Sequence, residues 1–340
     1  MSHATPLANG PQLPVNEVIY GSQAGHRAER LADGGYVVVW VNHDGQGAGL
    51  LPADSNAAAE IRMRLFNADG SARGAEIAVN SATLGWQLDP QLAVLANGCI
   101  AVTWTDGGDF YGGLEHYGSR GVGGAAGDAD GKAVKLQLFS AAGAPIGGEQ
   151  LVNTTTAQSQ QAARVAALAD GRFVVAWEDG SLSVNSQGAG GGPGIKAQLF
   201  AADGTRIESE QAWSGDWCYA PQPMALADGG YAALWLDAYY YDPALLVVRM
   251  HDAQGGALAS EVTLPIGGQG AGAQWSAAAL ADGGLVLAWT HRDAASGDGD
   301  GTGIRARIVS ADGTPRGEAF TVNGDTTVDQ EDVRLAALAG

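Results

Sequence analysis

Five positions, each two residues beyond a recurring tryptophan, carry groups that ionise, coordinate or hydrogen-bond: Asn42, Asp106, Asp179, Asp237 and His291. His43, Asp44, Glu178, Arg292 and Asp293 stand beside them. Carboxylates near imidazoles can exchange protons with a substrate, and a ring of oxygens around one mouth suits a hard cation or a polyhydroxylated ligand. If the chain is an enzyme, His43, His116, His291, Arg292, Asp106, Asp179 and Asp237 are the catalytic candidates. The same residue types also close turns at strand ends, because Asp and Asn side chains bond to nearby backbone. Both readings stay open from the sequence.

A second group of residues suits binding. Trp86, Trp213, Trp217 and Trp275 stand outside the recurring tryptophans, near Phe110, Tyr111, Tyr117, Tyr219 and the run Tyr239, Tyr240, Tyr241. Sugar C–H faces and cations both sit well on aromatic rings. Trp86, Trp217, Trp275, Tyr111, Tyr219, Tyr239, Tyr240 and Tyr241 are therefore candidates for holding a carbohydrate or other small polar ligand; packing of long loops against each other also accounts for them. Two acidic loops are metal candidates. SGDGDGTG offers Asp298 and Asp300, and GDADG offers Asp128 and Asp130, each pair alternating so that oxygens can converge on calcium. Neither carries the later bidentate Glu of an EF-hand, and solvated acidic loops would read the same way. Phosphate-loop, zinc-protease and serine-hydrolase motifs do not occur.

The elements that position these residues repeat. LADGGYVVVW (31–40), LANGCIAVTW (95–104), LADGRFVVAW (168–177), LADGGYAALW (226–235) and LADGGLVLAW (280–289) are one element seen five times. A sixth copy starts at 333–340. Between them recur an alternating run closed by a turn, such as IKAQLFAADG (195–204), and a short segment ending in Val-Asn, such as GGEQLVN (147–153), with GPQLPVN (10–16) as an N-terminal copy. Alternating apolar and polar residues bounded by Asp-Gly or Asn-Gly predict strands joined by tight turns. Each unit then holds four strands, A to D, and four short antiparallel strands at a fixed period predict the blades of an all-β propeller; a sandwich array or parallel solenoid is the competing architecture. The predicted units run roughly 17–80, 81–153, 154–214, 215–265 and 266–323, with 324–340 plus 10–16 as a partial sixth, all in one domain. That gives six A and six D strands but only five B and five C.

At this point the residues carry a resemblance. The pattern QxxPxVAALADGGFVVVW, then a Gly-rich loop, a strand ending in QxFDADG and a segment ending in Val-Asn, resembles tandem repeats of large bacterial RTX-like proteins exported by type I secretion. It is matched by Gln87 to Trp104, Gln160 to Trp177, Ala197 to Gly204 and the Val-Asn pairs. What the resemblance implies is an extracellular or cell-surface protein, commonly calcium-linked. The calcium-binding nonapeptide array GGxGxDxUx is absent from this chain, and several loops are longer than the family's.

Composition narrows the partners. Of 340 residues 52 are glycine, 46 % are hydrophobic and 16 % charged, which predicts a folded chain whose glycine is punctuation. A net charge of −19 repels phosphate backbones and anionic lipid, so neither nucleic acid nor membrane insertion is expected. Cys99 and Cys218 are expected as free thiols. In a four-stranded antiparallel blade the tight A–B and C–D turns share one face. The long B–C and D–A loops share the other, where function is expected. Three functions fit: a secreted or surface propeller that binds carbohydrate or another polar ligand, a hydrolase or lyase on the same face, or a structural module of a larger adhesin.

Overall fold

The computed structural model describes residues 14–17, 21–43, 59–82, 86–107, 128, 131–182, 191–239, 243–258, 261–269, 273–291, 302–324 and 329–336. They form five four-stranded antiparallel sheets, each ordered as its strands occur in the chain. The first holds β1 (Ser22–Arg30), β2 (Tyr36–His43), β3 (Ala59–Phe66) and β4 (Ile77–Ala78); the second β5 (Gln87–Val94), β6 (Ile100–Asp106), β7 (Ala133–Phe139) and β8 (Pro145–Leu151). The third holds β9 (Gln160–Ala167), β10 (Phe173–Asp179), β11 (Gly194–Phe200) and β12 (Arg206–Ala212). β13 (Cys218–Ala225), β14 (Tyr231–Asp237), β15 (Pro243–His251) and β16 (Val262–Gln269) form the fourth, and β17 (Trp275–Ala279), β18 (Leu285–His291), β19 (Gly303–Val309) and β20 (Pro315–Thr321) the fifth. These are the A, B, C and D strands in turn. No helix among the described residues is long and apolar enough to cross a membrane.

The hairpins follow from their glycines. In each A–B turn the N–H of the glycine bonds back to the leucine carbonyl and the leucine N–H bonds forward, as in Gly171 N to Leu168 O (3.1 Å) and Leu168 N to Arg172 O (2.8 Å). This is a type I turn followed by a left-handed residue, and Gly171 supplies φ +91° without a Cβ to clash. Asp170 Oδ1 accepts the N–H of Arg172 (3.0 Å), so the Asp of ADG holds the turn from the side chain.

Burial explains why B strands read as apolar runs. β6, β7 and β10 are buried along their whole length because sheets press on both of their faces, whereas the outer strand β12 alternates only between exposed and half-buried. Four large apolar clusters fill the seams between successive sheets. In each, the B-strand tryptophan shares the cluster with the Val of the Val-Asn pair, or its equivalent, in the D segment of the sheet before it: Trp104 with Val79, Trp177 with Val152, Trp235 with Trp213, Trp289 with Leu264. Trp213 therefore stands where the first two repeats have valine and belongs to the core, not with the binding aromatics among which its sequence context groups it. Truncating one of these tryptophans to Ala would cost roughly 3–5 kcal/mol.

Candidate functional site

The polar residues two beyond the tryptophans end the B strands, on the long-loop face. Three of them turn inward to the seams. Gln23 and Gln87 open their A strands, lie opposite Asn42 and Asp106 in register, and donate to them at 3.3 and 3.0 Å. The same glutamines accept from the asparagine that ends the preceding D segment, Asn16 and Asn80, and Asn153 and Asn323 clasp Gln160 and Gln330 likewise at 3.1 and 2.9 Å. The Oδ1 atoms of Asn80, Asn153 and Asn323 in turn take a C-strand N–H, from Ile61 (2.7 Å), Val134 (3.0 Å) and Ile304 (2.9 Å). A polar stitch thus runs from D strand to next A strand at every seam where this pair occurs.

Buried lysines complete it. Lys135 lies 3.9 Å from Asp106 and 3.5 Å from Glu149, while Lys196 lies 3.1 Å from Asp179 and 2.9 Å from Glu210. Asp179 is 0 % exposed and also takes the Trp177 indole N–H (3.3 Å). Burial pushes the Asp106 carboxyl up, against the pull of Gln87 and Lys135. Burial acts the same way on Glu210, but hydrogen bonds from Thr155, Thr154 and Lys196 outweigh it and hold that carboxyl at about 2. Asp106 and Asp179, candidates for acid–base work by their spacing, are spent on holding sheets together. Sequence reading missed Lys135, Lys196, Glu149 and Glu210, although a Glu three residues before the Val of Val-Asn or its equivalent in four of the five units (Glu76, Glu149, Glu210, Glu261) was a usable signal.

Asp237 is different. It ends β14 half-buried, opposite Cys218, with no lysine beside it on the C strand, since Val247 stands where Lys135 and Lys196 stand elsewhere. Burial first, then repulsion from Asp216 and Glu261, pushes its carboxyl up. The Cys218 thiol is pushed up to about 11, chiefly by burial, which makes it a poor nucleophile. Beside Asp237 the chain stacks rings. Trp217 packs edge-on to Tyr239 with centroids 4.9 Å apart, its carbonyl accepts the Ala238 N–H (3.0 Å), and its backbone sits at φ 62°, a strained conformation for a large residue. Gly192 admits this arrangement, because a Cβ there would lie 2.6 Å from the Tyr219 hydroxyl and 2.9 Å from Trp217. Tyr239 is 55 % exposed. Trp217, Tyr219 and Tyr239 thus gather in one aromatic patch flanked by the carboxylates of Asp216 and Asp237.

The remaining candidates scatter. His43 ends β2 against Trp86 (5.4 Å between ring centroids), and burial holds its imidazole below the ordinary value. His291 ends β18, and Trp275 opens β17 opposite Trp289 and packs on the core of the last seam. His26 lies inside β1. Asp128 is buried and accepts the Asn153 amide (2.9 Å). Among the described residues no group of three or more His, Cys, Asp or Glu side chains could hold a metal ion. Asp130, Asp298, Asp300, His116, Arg292, Tyr111, Tyr240 and Tyr241 lie outside the described residues.

No family model matches the sequence, and no curated protein matches it. Solved structures do. The chain is similar to the NanB sialidase from Streptococcus pneumoniae, solved with 2-[(3-chlorobenzyl)ammonio]ethanesulfonate, at 9 % identity and a TM-score of 0.55, over 94 % of this chain and 64 % of that one. It therefore spans just under two thirds of that protein. It is also similar to the intramolecular trans-sialidase from Ruminococcus gnavus, solved with oseltamivir carboxylate, at 10 % identity and a TM-score of 0.52, over 89 % and 85 % of the two chains. A protein of unknown function from Dyadobacter fermentans matches at 16 % identity and a TM-score of 0.50, over 91 % and 86 %. Identities this low speak of fold alone: the chain is an all-β propeller of four-stranded antiparallel blades.

Proposed function

We propose that this chain is a carbohydrate-binding propeller, secreted or displayed at the cell surface, that takes a sugar ring or similar polar ligand on its long-loop face against Trp217 and Tyr239. The observation that carries the reading is the edge-packed pair of exposed Tyr239 and half-buried Trp217 beside the carboxylates of Asp216 and Asp237. Flat rings receive the C–H face of a sugar, and carboxylates accept its hydroxyls. Neighbours of like fold named as a sialidase and a trans-sialidase lend support from carbohydrate chemistry. A location outside the cell comes from the repeat resemblance. Titration of a panel of mono- and oligosaccharides by calorimetry tests the reading. Tyr239→Ala and Trp217→Ala are each expected to weaken the best ligand about tenfold or more, a loss of roughly 1.4 kcal/mol, with the far-ultraviolet spectrum unchanged. Undiminished binding in both variants would contradict it.

One observation favours a second reading, glycan hydrolysis or elimination. A carboxyl pushed up beside a second carboxylate is suited to give a proton to a leaving group. On that reading Asp237→Asn abolishes turnover of a glycan that the protein still binds. A binding propeller shows no turnover to lose.

A further inference from the structure

The last residue of each C strand lies opposite the first residue of its B strand: Phe66 opposite Tyr36, Phe139 opposite Ile100, Phe200 opposite Phe173, His251 opposite Tyr231 and Val309 opposite Leu285. All five of these C-strand residues are buried, and only His251 can ionise. It keeps the geometry of its apolar counterparts. His251 stacks on Tyr231 with centroids 4.4 Å apart and planes 6° from parallel, as Phe66 does on Tyr36 (4.8 Å, 8°) and Phe200 on Phe173 (5.0 Å, 8°). Trp213, from the D segment of the third sheet, lies against both rings, 6.1 Å from Tyr231 and 6.2 Å from His251. A titratable ring thus stands in the seam between the third and fourth sheets, where other repeats place Phe or Val.

Hydrogen bonding fixes which ring nitrogen is bare. Nδ1 lies 3.0 Å from Gly255 O, and a carbonyl only accepts, so Nδ1 carries the hydrogen. Nε2 is then an unprotonated nitrogen, buried and without a partner among the described residues. Protonation puts a charged N–H there with no acceptor for it. None of the charged and titratable groups around the ring bonds to Nε2. On its own strand Arg249 donates to Trp213 O (2.9 Å) and to Glu261, and lies over the Trp235 ring. In the C–D turn the Asp252 carboxylate takes the N–H groups of Gln254 and Gly256. In the A–B turn Asp228 takes the N–H of Gly230, which abuts His251 O. From the third sheet Arg172 reaches Asp170 and Ala253 O, and Glu208 lines a cavity of about 10 Å³ with Tyr231 and Gly255. The Tyr231 hydroxyl, pushed up to about 12 chiefly by burial, stays neutral. Burial likewise comes first for His251 and holds its imidazole below the ordinary 6.5, against the pull of the Gly255 carbonyl.

Two polar links across this seam flank His251 in the chain. Arg249, two residues before it, donates to Trp213 O, and Ala253, two residues after it, accepts from Arg172. The C strand here has Val247 in the place of the lysines that tie the two seams before it. A ring driven from the stack by its own charge carries both links away with it.

We propose that His251 makes this seam an acid-operated joint: protonation of Nε2 drives the ring out of its stack on Tyr231 and Trp213 and parts the C–D edge of the fourth sheet from the third. The closed seam favours the neutral ring, so closure is complete above pH 6.5 and is lost as pH falls below it. Each pH unit below that value multiplies the open population by up to about tenfold, until the buried ring itself takes the proton. The test is amide hydrogen exchange of the full chain at pH 7 and pH 5, corrected for the intrinsic effect of pH on exchange. Exchange across residues 245–258 is expected to rise about tenfold or more at pH 5, while that across 194–206, where the C strand closes on Phe200, does not. His251→Phe, which restores the residue of the first three repeats, and His251→Gln, which takes up no proton, should each fold and lose that rise. An unchanged rate across 245–258 in the native chain at pH 5, an equal rise across 194–206, or a rise that survives in either folded variant would each overturn the proposal.

Discussion

At the scale of single residues, the same residue type serves two ends according to what the next strand brings. Asp179 meets Lys196 on the C strand and becomes part of a seam; for Asp237 the equivalent C-strand position is Val247, and it stays a half-buried carboxyl on the loop face. Taking away the cation should be costly. Lys196→Met leaves Asp179 and Glu210 buried with no counter-charge, and is expected to lower unfolding free energy by about 3–5 kcal/mol in urea titration. Acid should act on the same seam. The Glu210 carboxyl is held down from 4.5 to about 2, so its contribution is fully present above 4.5 and is lost as pH falls from there toward 2. Glu210→Gln should flatten the fall in Tm over that window and lower Tm at neutral pH. Asp at two beyond Trp was legible in the sequence; its partner was not. Lys196 and Glu210 are 17 and 31 residues from Asp179, and only the folded sheets bring them to it.

Elements were the most legible part of the molecule, because tight turns and alternation are local. LADG, or LANG at 95–98, with its glycine at φ between 81° and 91° demands one hairpin, and the element occurs five times. Gly171→Ala, which puts a Cβ into that left-handed residue, is expected to cost about 1–2 kcal/mol by chemical denaturation without changing ligand affinity. The bulges in the A strands were not legible. Their left-handed residues are Gly25, Asp89, Ala162 and Ala220, a mixed set of side chains with no common signal, and they are fixed by the seam on which each strand lies. Nor did spacing distinguish Trp213 in the core from half-buried Trp217 in the aromatic patch four residues later. The difference is that residue 213 faces Trp235 and Tyr231 across a seam, whereas Trp217 lies past the last D-strand rung and turns to Tyr239.

At the scale of the whole molecule, like sheets are joined by an apolar cluster at each seam between successive sheets, and by the polar clasp at those seams where the Asn–Gln pair recurs. The scaffold keeps short, equivalent turns on one face and gives its variation to the other. The candidate site follows from that division: the aromatic patch occurs where a lysine is missing from the polar stitch, and the long-loop face is free to differ there without loosening a seam. The measurement that bears most directly on this account is a crystal structure of the chain with its tightest saccharide from the calorimetric panel. The account predicts the sugar ring stacked on Tyr239 or Trp217, with hydroxyls bonded to Asp237 or Asp216. A saccharide bound on the opposite face among the Asp-Gly turns, or over His43 and Trp86 with the Trp217 patch bare, would contradict it.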